Sequence, residues 1–187
     1  MHKILITLSF LFLLLFSPVT SHSKAIDKSV TIPEIISLHV PNARLLGHGR
    51  FRFLFWNVYD AYLYTPKSTW TDTLPYALRL DYLRKLYGKE IADRSITEMR
   101  KQGHKDEVKL ATWHKQMRHI FPDVKKGSTL TGIRTASGSA IFYYHDKEIG
   151  RITDPAFTSA FFNIWLSEKT SEPAFRKKLL GKTKDDT

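Results

Sequence analysis

Two arginines, Arg50 and Arg52, stand among aromatic residues in the stretch 47–66, GHGRFRFLFWNVYDAYLYTP. Alternate residues of a strand share a face, so both guanidinium groups would lie on one side of a sheet. A guanidinium binds a carboxylate through two parallel hydrogen bonds, and Tyr59 or Tyr62 would add a hydroxyl to the same site. This set predicts a site for an amphipathic acid. The same pattern also fits a solvent-facing sheet surface or a structural ion pair.

The motifs of common catalytic sites are missing from the sequence. There is no nucleophile elbow, phosphate loop, dinucleotide fingerprint or metalloprotease helix motif. His114 and His119 lie five residues apart on a predicted helix, so their rings diverge too far to share a metal ion without distortion. No cysteine is present, which excludes a thiol nucleophile, disulfides and thiolate zinc sites. We therefore expect no cofactor and no metal.

The N-terminal residues predict export. Lys3 precedes an apolar run, residues 4–16, that is shorter than a membrane span and has the form of a secretory signal peptide. Small residues suit cleavage between positions 21 and 25, so residues 1–25 are predicted to be the leader. The mature protein would then be periplasmic or secreted. An uncleaved membrane anchor is the alternative.

The chain is basic, with a formal net charge of +11 over 187 residues. That excess favours contact with an anionic membrane surface or with acidic ligands, or else serves only to keep the protein soluble. Export argues against nucleic acid as a partner. One group of cations is interpreted as a solvated basic face: Arg79, Arg84, Arg94 and Arg100. We expect a monomer.

Residues 26–187 are long enough for a single domain, with its core at about 38–181. Residues 26–37 are expected to lead into a first short strand, 38–46, and the aromatic stretch then forms a central strand or a long hairpin. Apolar periodicity predicts the later elements: strands 76–83, 128–135 and 140–145, and helices 89–102, 107–121 and 156–166. This order predicts an α+β domain built on an antiparallel sheet.

Several separated segments together resemble the chalcone isomerase-like family, in its bacterial, exported branch. They cover roughly residues 44–181, and no single one of them is diagnostic. They are a Gly-x-Gly before the aromatic strand, VYDAYLY (58–64), ALRLDYLRK (77–85), EMRKQG (98–103), WHKQMRHIFPDVKKGSTLTG (113–132), IFYYHDKEIGRITDPAFTSAFFNIWLSEKTSEP (141–173) and LLG (179–181).

The resemblance implies an open-faced β-sandwich, in which helices pack on one face of a large antiparallel sheet and a ligand cleft lies between them. The plant members of that family are either isomerases that close a flavanone ring or non-catalytic relatives, some of which bind fatty acids. The enzymes' Gly-x-Gly-x-Arg segment is out of register here, because Gly47-His48-Gly49 is followed directly by Arg50. Their threonine falls near Asn57, and their helical tyrosine and asparagine have no counterpart in residues 89–102.

Three hypotheses follow. The first is a non-catalytic protein that binds a fatty-acid-like ligand, with the carboxylate at Arg50 or Arg52. The tyrosine at 59 or 62 would assist, and the acyl chain would lie against Phe53, Phe55, Leu80 and Phe161. The second is an isomerase or lyase that acts on a chalcone-like or enone substrate with Arg50 as electrophile. The third is an envelope protein-interaction module without ligand.

Overall fold

Six strands form one antiparallel sheet in a computed structural model that describes residues 31–182. The predicted leader, residues 1–25, lies outside the described residues. Each strand pairs with the next one in the chain, so the sheet order is the sequence order. The strands are β1 (Arg44–Phe53), β2 (Trp56–Thr65), β3 (Tyr76–Tyr82), β4 (Thr129–Arg134), β5 (Ala140–Tyr144) and β6 (Lys147–Ile152).

The aromatic stretch forms the long hairpin of β1 and β2. Phe53 pairs with Trp56, so Leu54 and Phe55 are the two residues of the turn. Phe51 and Phe53 lie on one face of β1, which places Arg50 and Arg52 on the other because successive side chains alternate. Phe55, predicted to share the face of Phe51, instead stands in the turn and is 96% exposed.

Five helices pack against the sheet, four of them on one face. The amphipathic stripe of the third helix (Leu110, Trp113, Met117) is buried, as its three-to-four spacing predicts. The fourth begins with an Asp154 cap and a proline in its first turn. The helices are α1 (Glu34–His39), α2 (Gly88–Lys101), α3 (Glu107–Ile120), α4 (Pro155–Leu166) and α5 (Pro173–Leu179).

The sheet separates two hydrophobic clusters. The larger fills the space between the sheet and α2–α5, and the predicted α+β fold with helices packed on one face is confirmed. The smaller lies on the opposite face, where α1 packs Ile36 and Val40 against Tyr64, Ile133 and Ile141. In residues 31–182, no helix is both long and apolar enough to cross a membrane.

The helix α1 occupies part of the region for which the sequence predicts an extended segment and a short strand. Ile35 and Ile36 are buried against the sheet, and β1 begins only at Arg44. Six residues are too few to form a stable isolated helix, so tertiary packing on the sheet determines this conformation.

Candidate ligand-binding site

A cavity of about 320 Å³ lies between the sheet and helices α2, α4 and α5. Its walls are predominantly apolar, because the strands turn alternate large side chains toward the helices and α4 presents two phenylalanines to them. The apolar lining includes Phe51, Val58, Leu78, Leu80, Leu130, Phe142, Phe161, Phe162 and Phe175. Such a space suits an apolar ligand or the apolar part of an amphipathic one.

An irregularity in the β1–β2 pairing directs β2 into this cavity. Phe51 pairs with Tyr59, whereas Arg52 pairs with Asn57, so Val58 is an extra residue on β2. Both Val58 and Tyr59 consequently line the cavity, although neighbouring residues of a regular strand point to opposite faces.

Two tyrosines supply neutral hydroxyl groups to the cavity wall. The indole N–H of Trp165 donates a hydrogen bond to the Tyr59 hydroxyl oxygen at 3.0 Å, which leaves the Tyr59 proton available as a donor. Tyr82 lies beside it, with the two ring centroids 5.7 Å apart. Burial raises the pKa of both tyrosines well above the usual range, so both hydroxyls stay protonated at neutral pH.

Glu98 is a buried acidic residue in the same wall. Its Oε2 accepts a hydrogen bond from the Ser171 hydroxyl at 2.7 Å, and Oε1 lies 2.7 Å from Arg94 and 3.0 Å from Lys101. Burial alone would raise the pKa of Glu98. The Ser171 hydrogen bond and the two cations outweigh that effect, so the pKa lies below its ordinary value and the carboxylate is ionised.

The mouth of the cavity lies at the turn end of the β1–β2 hairpin, where the half-exposed Phe53 meets Arg84 and Arg94. The exposed carboxylates Glu90 and Glu172 also belong to the cavity lining. The Arg84 guanidinium lies 4.7 Å from the centre of the Trp56 ring, and that of Arg94 lies 6.0 Å from Phe53. No carboxylate of residues 31–182 lies within 4.0 Å of Arg84. Arg84 therefore offers an uncommitted guanidinium fork at the entrance to an apolar space.

Of the five predicted ligand-binding residues, the structure brings Tyr59 to the cavity. Arg50 lies on the opposite face of the sheet, where its Nε and Nη2 bind both oxygens of Asp60 at 2.7 and 2.8 Å. The Asp60 hydrogen bond raises the pKa of Arg50. Arg52 donates from Nε to the side-chain oxygen of Asn57 at 2.9 Å, and Tyr62 stacks on His48. The two predicted arginines are thus not beside the predicted acyl contacts.

Three of the four predicted acyl contacts, Phe53, Leu80 and Phe161, line the cavity. Several other residues of the site are not predicted by the sequence patterns; some come from a loop or a helix end, and others lie on α2. Trp165 and Ser171 carry no spacing signal, and Arg84 and Arg94 were assigned to a solvated basic face. The position of Arg84 just past the end of β3 is the available clue, because the antiparallel pairing puts the end of β3 beside the start of β2 and so near the β1–β2 turn.

Metal binding has no structural support in the part of the chain that the structure describes. Histidine, aspartate and glutamate residues between 31 and 182 form no group of three that could hold a metal ion.

Comparison with known proteins assigns the family. The model of the family described as chalcone isomerase-like matches residues 26–181. The chain belongs to the chalcone isomerase-like family. No curated protein matches it by sequence.

A solved structure of this fold type is similar to the chain. It is the crystal structure of a fatty-acid-binding protein of Arabidopsis thaliana, with a TM-score of 0.58 and 14% sequence identity. The similarity covers 75% of this chain and 88% of the plant protein. At this level of identity the likeness concerns the fold. It agrees with the sheet and one-sided helix layer described above for this chalcone isomerase-like protein.

Proposed function

We propose that this protein binds a fatty-acid-like ligand without transforming it, with the acyl chain in the cavity and the carboxylate at its mouth. The observation that carries the proposal is the uncommitted Arg84 guanidinium at the entrance to a cavity with apolar walls. A carboxylate and a guanidinium form paired, charge-assisted hydrogen bonds, and the surrounding aromatic rings reduce competition from water. The similar plant protein is itself described as fatty-acid binding.

The size of the cavity favours one acyl chain. Its volume of about 320 Å³ is near the lower end of the roughly 300–1,000 Å³ that small-molecule sites occupy. A two-chain phospholipid would need more space than this.

The electrostatics of the walls favour one orientation of the ligand. The ionised Glu98 repels the carboxylate of the ligand, whereas Leu80, Phe142 and Phe162 offer an apolar surface to its acyl chain. Arg94 lies between Glu98 and the mouth residue Phe53, so it can neutralise Glu98 and still contribute positive charge to the entrance. The headgroup is therefore placed at Arg84, with the neutral hydroxyl of Tyr59 as a further donor.

We also propose that the protein belongs to the bacterial, exported branch of its family and acts as a monomer in the periplasm or outside the cell. The predicted signal peptide with cleavage between 21 and 25 supports export, and the basic charge supports peripheral contact with an anionic membrane surface. Intact mass measurement of the processed protein tests the cleavage, and sedimentation tests the monomer. An intact leader would contradict the proposal.

Native mass spectrometry of the protein as its cells process it, followed by organic extraction, tests for a bound acyl species. Titration with a soluble fatty acid then compares Arg84→Gln with the control Arg52→Gln, since neither arginine is paired with a carboxylate. Loss of a charge-assisted pair should lower the affinity of Arg84→Gln by roughly 10- to 100-fold. Arg52→Gln should leave it unchanged.

Three results would contradict this account. A protein that carries no acyl species and takes up no added fatty acid would overturn the proposed function. Weaker binding by Arg52→Gln, with Arg84→Gln unaffected, would move the carboxylate to the opposite face of the sheet. Turnover of an added enone substrate would replace a binding function with catalysis.

A further inference from the structure

The turn end of the β1–β2 hairpin exposes four consecutive apolar residues, 53–56, which we call the hairpin tip. The exposed fractions are 51% for Phe53, 76% for Leu54, 96% for Phe55 and 58% for Trp56. Isolated exposed apolar residues are ordinary, but four adjacent large ones at one protruding turn form a patch of the kind that marks an interaction site.

The geometry of the turn does not account for these residues. Leu54 has a φ of 52°, a conformation that favours glycine or asparagine and is strained for a leucine. The β5–β6 hairpin has a turn of equal length, and polar residues, His145 and Asp146, occupy it. A leucine and a phenylalanine in the first turn therefore point to a role outside the hairpin itself.

Two arginines lie against the aromatic rings of the hairpin tip, and two lysines follow close by in the chain. Arg84 lies over the Trp56 ring, and Arg94 lies near Phe53. Tyr87 follows Arg84 by three residues in the chain, and it has the Lys85 amine 4.6 Å from its ring centre and the Lys89 amine at 6.0 Å. Aromatic side chains that project from a basic surface match the two layers of an anionic bilayer, its apolar boundary and its charged headgroups.

We propose that the hairpin tip docks this protein on an anionic lipid bilayer, with Phe55 and Leu54 inserted at the headgroup boundary. Charge distinguishes this occupant from a second copy of the chain, because two tips face to face would bring the same arginines and lysines together. Phe53, Arg84 and Arg94 belong both to the tip region and to the cavity mouth. Docking therefore places the mouth against the bilayer, and this last step rests on the proposed function.

Sedimentation with vesicles tests the docking. The protein, purified after processing in its own cells, is mixed with vesicles of phosphatidylcholine alone or of phosphatidylcholine with phosphatidylglycerol. We expect binding to the anionic vesicles and much weaker binding to the neutral ones. The variant Leu54→Asn/Phe55→Gly should bind at least about tenfold more weakly, and because Asn-Gly is the preferred two-residue hairpin turn, the hairpin itself should be retained.

A matched pair of charge variants locates the basic contribution. Lys85→Gln/Lys89→Gln should weaken binding roughly 25-fold, because each cation lost near the surface costs about fivefold. Arg44→Gln/Lys67→Gln removes the same charge at the other end of the sheet, beyond the pairing of Arg44 with Thr65, and should have little effect.

The outcomes separate docking from ligand binding. The docking proposal is overturned if the wild-type protein does not bind anionic vesicles, or if the Asn-Gly variant binds them as well as the wild-type protein does. Vesicle binding by a protein that takes up no fatty acid would support docking while removing the proposed function. The Asn-Gly variant should still bind a soluble fatty acid, because neither substituted residue lines the cavity.

Discussion

Gly47 of β1 lies directly against the backbone of Lys178 in α5. A Cβ atom at position 47 would fall well inside contact distance of the Lys178 carbonyl oxygen and 2.6 Å from the Gly181 nitrogen. The first glycine of the Gly-x-Gly segment therefore lets the backbone of α5 pack directly against β1. That helix carries Phe175 into the cavity wall.

Gly47→Ala should destabilise the protein by about 1–3 kcal/mol, because backbone atoms of α5 must move to admit the methyl group. Gly49→Ala should cost less, since its nearest neighbours are side-chain atoms of Phe175 and Lys178 at 3.1 and 3.2 Å, which need to shift by only a small fraction of an ångström. Urea unfolding of both variants measures the difference. Equal stabilities for the two variants would contradict the close approach at position 47.

The buried tyrosines make stability fall at alkaline pH. Burial raises the pKa of Tyr82 above its unfolded value of 10.0, so the folded protein keeps a proton that the unfolded chain releases. This contribution is complete below pH 10 and is lost as the pH rises above it. Above pH 10, Tyr82→Phe should reduce the fall in the free energy of unfolding by up to about 1.4 kcal/mol for each pH unit.

Urea unfolding between pH 8 and pH 11 checks this prediction. The control is Tyr87→Phe, which alters an exposed ring and should follow the wild-type curve. A Tyr82→Phe variant with an unchanged alkaline slope would show that the hydroxyl is solvated in the folded protein.

Glu98 should give an acid-side dependence of the opposite sign. Its folded pKa lies below the ordinary value of 4.5, so its stabilising contribution is present above that pH and disappears as the pH falls through the lowered pKa. Glu98→Gln should lose about 1–3 kcal/mol at neutral pH, because the Ser171 and cation contacts are weakened. The stability gap to wild type should then close below pH 4.5. A gap that stays constant down to pH 3 would exclude an ionised Glu98.

Ser95 and Thr97 offer a matched test of the cavity. Both hydroxyls bond a backbone carbonyl four residues earlier in α2, but Ser95 lines the cavity and Thr97 is exposed. Ser95→Leu fills part of the apolar space, so fatty-acid affinity should fall at least about tenfold while the protein remains folded. Thr97→Leu should bind normally. Calorimetry or competition with a fluorescent fatty acid measures both.

The strands and long helices could be predicted because their periodicities are clear. The alternation in 76–83 corresponds to β3, and the predicted helix 89–102 corresponds to α2 within one residue at each end. The Asp154-Pro155 pair marks the start of α4, where Asp154 accepts a hydrogen bond from the Ala156 N–H. These signals are local, so the sequence alone carries them.

The site was less predictable because its position depends on which sheet face the helices cover. Alternation correctly separates Arg50 and Arg52 from Phe51 and Phe53, but both faces of the hairpin carry aromatic residues. The sequence therefore does not say which face borders the cavity. The extra residue Val58 is also invisible in the pattern, since it arises from the pairing of two strands.

The strict meander of the sheet has a consequence for how the site is assembled. Every strand pair is a hairpin except β3 with β4, which are separated by residues 83–128, the segment that contains α2 and α3. Closing that long loop carries a larger entropic cost than forming any of the hairpins. The α2 wall of the cavity reaches its place only with this closure. A ligand in the cavity therefore stabilises the completed sheet over partly folded forms, and bound fatty acid should slow unfolding.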